Sequence, residues 1–314
     1  MMRATQNWLF AMACVSGIGA VLITRPHVHS RPPQRSVSLP QTTVMLPQQP
    51  SSTTVPTSPT VSEFAVPVLM YHRICDLTPD EAKSPLMRDL TVSPANFEHQ
   101  VAYLQQKGFT CLLASDVEAA LRERRPLPER SVAITLDDGY RDNFDCAFPI
   151  LKRYGVPATI FLVTSTVDTA GHLTWSNVAE MRPHPVGYGS HTVTHADLTS
   201  LSLDRLDYEL RESKRVLESR LIERISAIAY PSGKYNRMVA ERTREAGYLA
   251  GWKKGGGPVQ PGADPYLLPR MRVKGSTNLD EFKRIVWSGV MRHKIDSESS
   301  AGPRFSFGRL QGFR

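Results

Sequence analysis

Short apolar runs, each closed by a polar motif, alternate with amphipathic stretches from residue 66 to residue 290. This alternation narrows the fold more than any other feature of the chain. Val66-Pro67-Val68-Leu69-Met70-Tyr71 ends in His72, and Val132-Ala133-Ile134-Thr135-Leu136 ends in Asp137-Asp138-Gly139. A third run spans Ala158 to Val163, and Val186 to Ser190 delivers His191. Ile225 to Tyr230 stops at Pro231-Ser232-Gly233, and Leu268 to Val273 closes the series. Apolar runs this short, bounded by turn signals, read as buried strands. Between them, residues 94–107, 116–124, 142–154, 237–246 and 278–288 read as helices. Ser202 is placed to cap a long helix with Leu203, Leu206, Leu210, Leu217 and Leu221 on its apolar stripe. Some six or seven alternations predict a parallel α/β architecture, a barrel or an open sheet. In a barrel the C-terminal strand ends share one rim, where active sites sit. His72, Asp137, Asp138, His191 and Tyr230-Pro231 all fall at such ends.

Two adjacent carboxylates at the tip of a buried strand are costly unless a metal or a proton shares the site. His191-Thr192-Val193-Thr194-His195 offers two imidazoles four residues apart, a spacing that puts both on one side of a helical turn. One Asp and two His suit a single metal ion and leave the second Asp free as a base. Paired acids for glycoside cleavage must flank the scissile bond at about 5–9 Å, and no second carboxylate is placed for that.

On these motifs the chain resembles the polysaccharide deacetylases of carbohydrate esterase family 4, the NodB-homology domain, over about residues 66–290. Thr135-Leu136-Asp137-Asp138-Gly139 stands where the family has Thr-Phe-Asp-Asp-Gly, and His191 to His195 matches its His-[Ser/Thr]-x-x-His. The resemblance implies a distorted (β/α)7-type barrel. It implies Asp138, His191 and His195 as ligands of one divalent metal, zinc first, with cobalt, nickel and iron also suited. Asp137 becomes the general base. The metal polarises an acetamide carbonyl and lowers the pKa of its water. The family places an acidic His in a C-terminal Leu-x-His motif, which this chain lacks. Tyr71-His72 and the run Ala229 to Asn236 instead resemble the poly-β-1,6-N-acetylglucosamine N-deacetylase branch, with His72 as general acid. The Arg that other members carry two residues before Pro231 is Ala229 here, which leaves Arg270 as a candidate to orient Asp137. Tyr230 and Pro231 are candidates for the oxyanion and substrate side. Trp175 and Tyr230 are candidates to line a sugar groove, since aromatic faces suit pyranose rings; Trp175 equally fits as the opener of a helix. Asp142 and Asp145 are expected on a solvated helix face.

Net charge is +8, with +3 in residues 1–63 and +3 in residues 291–314, so the body carries only +2. This argues against a nucleic-acid groove and suits tails near an anionic surface. Residues 1–25 hold an apolar run from Trp8 to Ile23, read as a signal peptide or an N-terminal membrane anchor. Residues 26–63, rich in Pro, Ser, Thr and Gln, read as a disordered linker. Residues 64–290 are then the catalytic domain and residues 291–314 a basic mobile tail. The expected location is the periplasm or cell envelope, with a polysaccharide substrate, the bacterial membrane and exopolysaccharide export machinery as partners. Cys75, Cys111 and Cys146 allow at most one disulfide and have no zinc spacing. The first functional expectation is a metal-dependent N-deacetylase of an N-acetylhexosamine polymer. The alternatives are a deacetylase of peptidoglycan, chitin oligomers or a non-sugar amide, and an inactive glycan-binding domain.

Overall fold

The computed structural model describes residues 64–300. The expected N-terminal segment (1–25), the linker (26–63) and the chain beyond residue 300 lie outside the described residues. Seven parallel strands form a closed ring: β1 (Val68–Tyr71), β2 (Ser131–Leu136), β3 (Ala158–Leu162), β4 (Val186–Ser190), β5 (Ala227–Ala229), β6 (Ala250–Lys254) and β7 (Leu268–Arg272). Each strand pairs with its successor, and β1 pairs with both β2 and β7, with Leu69 opposite Ile134 on one side and Met271 on the other. Of the two architectures left open by the sequence, the barrel is the one formed. A short strand, Thr110–Leu112, adds to the first half of β2.

Period-two alternation sorts the strands into two cores. Val68, Ala133, Phe161, Ala229, Trp252 and Leu268 fill the barrel interior. Leu69, Tyr71, Ile134, Leu136, Ile160, Leu162 and Ile228 point outward against the surrounding helices. Each fully buried Leu or Ile contributes about 1.5–3 kcal/mol of burial free energy. Close packing inside the barrel explains Gly189: a Cβ there would lie 2.4 Å from the Phe161 ring.

The helices follow the expected order with local differences. Helix Pro94–Gln106 starts behind Ser93, whose hydroxyl accepts the Asn96 N–H, with Pro94 at the first turn. Helix Leu203–Leu221 buries Leu206, Leu210, Leu217 and Leu221, while Leu203 is exposed and Ser202 makes no side-chain cap. The expected helix at 142–154 is split into a π-turn, Asn143–Ala147, and a helix, Phe148–Tyr154. The last helix, Leu279–Ser300, runs well past its expected end at 288 and takes in the first residues assigned to a mobile tail. Strand β6 was not expected; Gly251, Lys253 and Lys254 interrupt its apolar pattern, and only Ala250 and Trp252 face the interior. Among the described residues no helix is long and apolar enough to cross a membrane. Cys75, Cys111 and Cys146 are free thiols.

Candidate active site

Strand β2 carries the two aspartates, and its periodicity decides their fates. Ala133, Thr135 and Asp137 lie on the inward face, and the Asp137 N–H donates to the Tyr71 carbonyl, so the ladder continues through this residue. Asp137 is 2% exposed and Arg270, on β7, is fully buried. The Arg270 guanidinium donates from Nη1 to Asp137 Oδ1 at 2.5 Å and from Nη2 to Oδ2 at 2.8 Å, a bidentate pair. Arg270 Nη1 also donates to Thr135 Oγ1 at 3.2 Å, and the guanidinium stands 5.2 Å above the Phe161 ring. Burial works to raise the Asp137 carboxyl, but Arg270 and then His191 outweigh it and hold it below the ordinary value. Ala229, small and interior, brings no charge to Asp137; the cation arrives from β7.

At Asp138 the backbone turns to φ +72°, which throws this side chain out of the barrel toward the histidines. Its Oδ1 lies 3.3 Å from His191 Nε2 and 3.5 Å from His195 Nε2. That oxygen is buried and has no hydrogen-bond donor. Ligand atoms of Asp138, His191 and His195 all lie within 4.8 Å of one another. The His191 Nδ1–H donates to the Ala229 carbonyl at 2.7 Å, which turns the Nε2 lone pair toward Asp138. Burial works to lower the His191 pKa, but Asp137 and Asp138 outweigh it and hold it above the ordinary value. For His195, burial and the neighbouring His191 lower it. An orphaned carboxylate oxygen facing two imidazoles, one of them fixed in its tautomer, is the donor set a divalent cation takes.

The expected helical turn from His191 to His195 is absent. The segment is irregular, with Thr192 at φ +70° and His195 at φ +57°. Its amides are taken by side chains instead of helical carbonyls: Ser190 Oγ accepts from Thr192, and Glu209 accepts from Val193 and Thr194.

A cleft of about 370 Å³ at the C-terminal rim brings together His72, Asp137, Asp138, His191 and His195. His72, just past β1, has a buried Nδ1 without a hydrogen-bond partner. Burial holds its pKa below the ordinary value against the pull of Asp137 and Asp138. The backbone around it is clamped: Asn143 Nδ2 donates to the His72 carbonyl at 2.9 Å, and Asp142 Oδ1 accepts the Ile74 N–H at 2.9 Å. Asp142 also pairs with Arg73. It is therefore not on a solvated face, whereas Asp145 pairs with Arg141 at the surface as an exposed side chain.

Three sequence candidates do not reach the cleft. Tyr230 follows the outward phase of Ile228; it is fully buried, its hydroxyl donates to the Tyr266 carbonyl and its N–H to the Trp252 carbonyl, so neither serves an oxyanion. Pro231 is buried, and the same turn presents Ser232 and Gly233 to the cleft. Trp175 opens helix Trp175–Met181, packs on the outer core and lies under the Arg220 guanidinium at 5.3 Å. Sequence reasoning missed Tyr140, Lys254 and Arg272, which line the cleft. Tyr140 directly follows the Asp-Asp-Gly turn and Arg272 lies two residues after Arg270, so strand phase was the available signal.

The family model for polysaccharide deacetylases matches residues 124–251. YxkH of Bacillus subtilis, named as a polysaccharide deacetylase, is 31% identical over 208 residues, covering 66% of this chain and 71% of that protein. A poly-β-1,6-N-acetyl-D-glucosamine N-deacetylase of Staphylococcus epidermidis is 26% identical over 251 residues, covering 72% of this chain and 84% of its own. Among solved structures, the Streptococcus pyogenes deacetylase PplD, in complex with acetate, is similar with a TM-score of 0.68 and 29% identity, over 72% of this chain and 99% of that chain. The Bacillus subtilis relative, at this identity and coverage, shows the family: the chain belongs to the polysaccharide deacetylases, hydrolases that cleave amide bonds on polysaccharides.

Proposed function

We propose that the chain is a metal-dependent N-deacetylase of an N-acetylhexosamine polymer outside the cytoplasmic membrane, with poly-β-1,6-N-acetylglucosamine as first substrate. The observation that carries the reading is the convergence, in one cleft, of a bidentately clamped carboxylate, an orphaned carboxylate oxygen with two imidazoles, and a third histidine. Asp138, His191 and His195 would hold one divalent cation, zinc first. Bound there, a divalent cation supplies Lewis acidity toward the acetamide carbonyl and lowers the pKa of water.

The chain's own residues do the rest. Asp137 is held ionised and in a fixed plane by Arg270, with Oδ2 4.0 Å from His191 Nε2, at the edge of the cation site. It takes the proton of the attacking water. His72 donates to the departing amine, and its lowered pKa makes its protonated form the stronger donor. The Ser232–Gly233 turn, with Ser232 at φ +55°, forms the opposite wall. The relative from Staphylococcus epidermidis supports the β-1,6-linked substrate. The apolar run at residues 8–23 supports delivery to the cell envelope, with the membrane as a partner.

The test is acetate release by the purified chain from β-1,6-linked N-acetylglucosamine oligomers, chitin oligomers and peptidoglycan, each with a chelator control. Chelator-sensitive release from the first substrate alone is the expected result. Release from another substrate moves the polymer and keeps the chemistry. No release from any substrate, with cation bound, favours a non-sugar amide or a glycan-binding role.

A further inference from the structure

We propose that Glu209, outside the cleft, is the positioning residue that sets the distance between His191 and His195; this rests on the reading of those residues as cation holders.

The segment Thr192–His195 has no regular hydrogen bonding, and two of its residues, Thr192 and His195, sit in the left-handed region. Thr192 is β-branched, and such a residue stays at φ +70° only where its surroundings over-determine it. The Thr192 and Val193 carbonyls accept from the Thr164 and Ser165 N–H groups, Ser190 Oγ accepts the Thr192 N–H, and Glu209 holds the amides that follow. Glu209 is fully buried on helix Leu203–Leu221. Its Oε2 accepts the N–H of Val193 at 2.9 Å and of Thr194 at 2.8 Å. Its Oε1 accepts the Thr194 hydroxyl at 2.7 Å and Arg205 Nη2 at 3.0 Å. Four donors occupy the carboxylate, so Glu209 is not itself a ligand. Ser213, four residues on and hence on the same helix face, receives the Ser190 hydroxyl at 2.8 Å. The helix thus grips the loop at both flanks of His191.

The two histidines depend on this grip unequally. His191 has its own anchors, its N–H on the Leu162 carbonyl and its Nδ1–H on the Ala229 carbonyl. His195 is held through its N–H on Thr192 Oγ1, a bond inside the loop that Glu209 braces. Losing Glu209 leaves the Val193 and Thr194 amides without their acceptor and lets His195 drift from the other two donors.

The experiment strips the full chain of metal and titrates it with Zn²⁺ alone against a chromophoric competitor, with the melting temperature of the stripped protein measured in parallel. Glu209→Ala is expected to weaken Zn²⁺ binding by about 10–100-fold, the usual cost of losing an outer-shell support. Glu209→Gln keeps one acceptor oxygen and falls between Glu209→Ala and the natural protein. Glu118→Gln is the control: Glu118 is a buried acid outside the cleft that accepts two donors, Trp252 Nε1 and Ser226 Oγ, near the N-terminal strand ends. It is expected to lower the melting temperature without moving Zn²⁺ affinity. Folded Glu209 variants with unchanged affinity overturn the proposal, as does an equal affinity loss in Glu118→Gln. If Glu209→Ala does not fold, Glu209→Gln decides by the same measure. A natural chain that binds no Zn²⁺ overturns the cation reading itself, and the inference with it.

Discussion

Asp137 and Asp138 share a peptide bond and almost nothing else. Asp137 ends a strand in register, faces the barrel interior and has both oxygens committed to Arg270. Asp138 leaves the strand at a positive φ, is part-exposed, and keeps an oxygen with no donor at all. Burial opposes ionisation at both, and cationic neighbours reverse it at both, but the neighbours differ: a permanent guanidinium for Asp137, imidazoles for Asp138. On the proposed reading, the fixed cation keeps a base ionised without occupying the reaction space, whereas the imidazoles make the same negative charge a place for a metal. One residue of backbone phase separates the two environments.

That contrast breaks most visibly if the ligand side is removed. Asp138→Ala and His191→Ala are each expected to lose bound Zn²⁺, read by metal analysis of the purified protein, and to drop acetate release to background. Full metal content in Asp138→Ala would shift the ligand role across the peptide bond to Asp137. Next comes Asp137→Asn, which is expected to keep its metal and lose about 10²–10⁴-fold in kcat, the usual contribution of a positioned base. Near-native turnover there would remove Asp137 from the chemistry. His72→Asn is expected to cost about 10²-fold, the lower end of the same range, with Zn²⁺ affinity unchanged; an unaltered rate would send the acid role elsewhere.

The clamp sharpens the comparison through stability. Arg270→Met strands a buried carboxylate and is expected to cost about 3–5 kcal/mol in denaturant unfolding. Adding Asp137→Asn to Arg270→Met should recover part of that loss, since the stranded charge is gone; a strictly additive double variant would deny the pairing. The smallest effect belongs to Trp175→Ala. Its ring packs outside the barrel, so KM for the oligomer should not move, and a raised KM would put it back in the groove.

Much of this was legible in the sequence because strand ends carry both hydropathy and chemistry in one stretch. The β2 run, its Asp-Asp-Gly turn and the two histidines needed only local pattern. Arg270 could be named from the sequence only as a candidate to orient Asp137; 133 residues of chain separate the two, and barrel closure brings them together. What escaped is non-local or depends on phase. Tyr230 sits beside the cleft in sequence but on the outward phase, so the residues that face the cleft there are Ser232 and Gly233. The His191–His195 spacing suggested a helical turn because four residues fit one; Glu209 and Ser190 capture the amides that a helix would have used. Strand β6 hid behind two lysines whose place on the rim allows charge.

The ring closes where the first strand meets the last, β1 against β7. A chain made from its N-terminus therefore exposes Asp137 to the ribosome exit long before Arg270 has been synthesised. Until residue 272 has emerged, the barrel is an open sheet with an unpaired carboxylate on its inner face and two unmet edges, a species prone to association. His72, just past β1, and Arg272, at the end of β7, flank the seam. Closure of the seam and assembly of the cleft are then a single event.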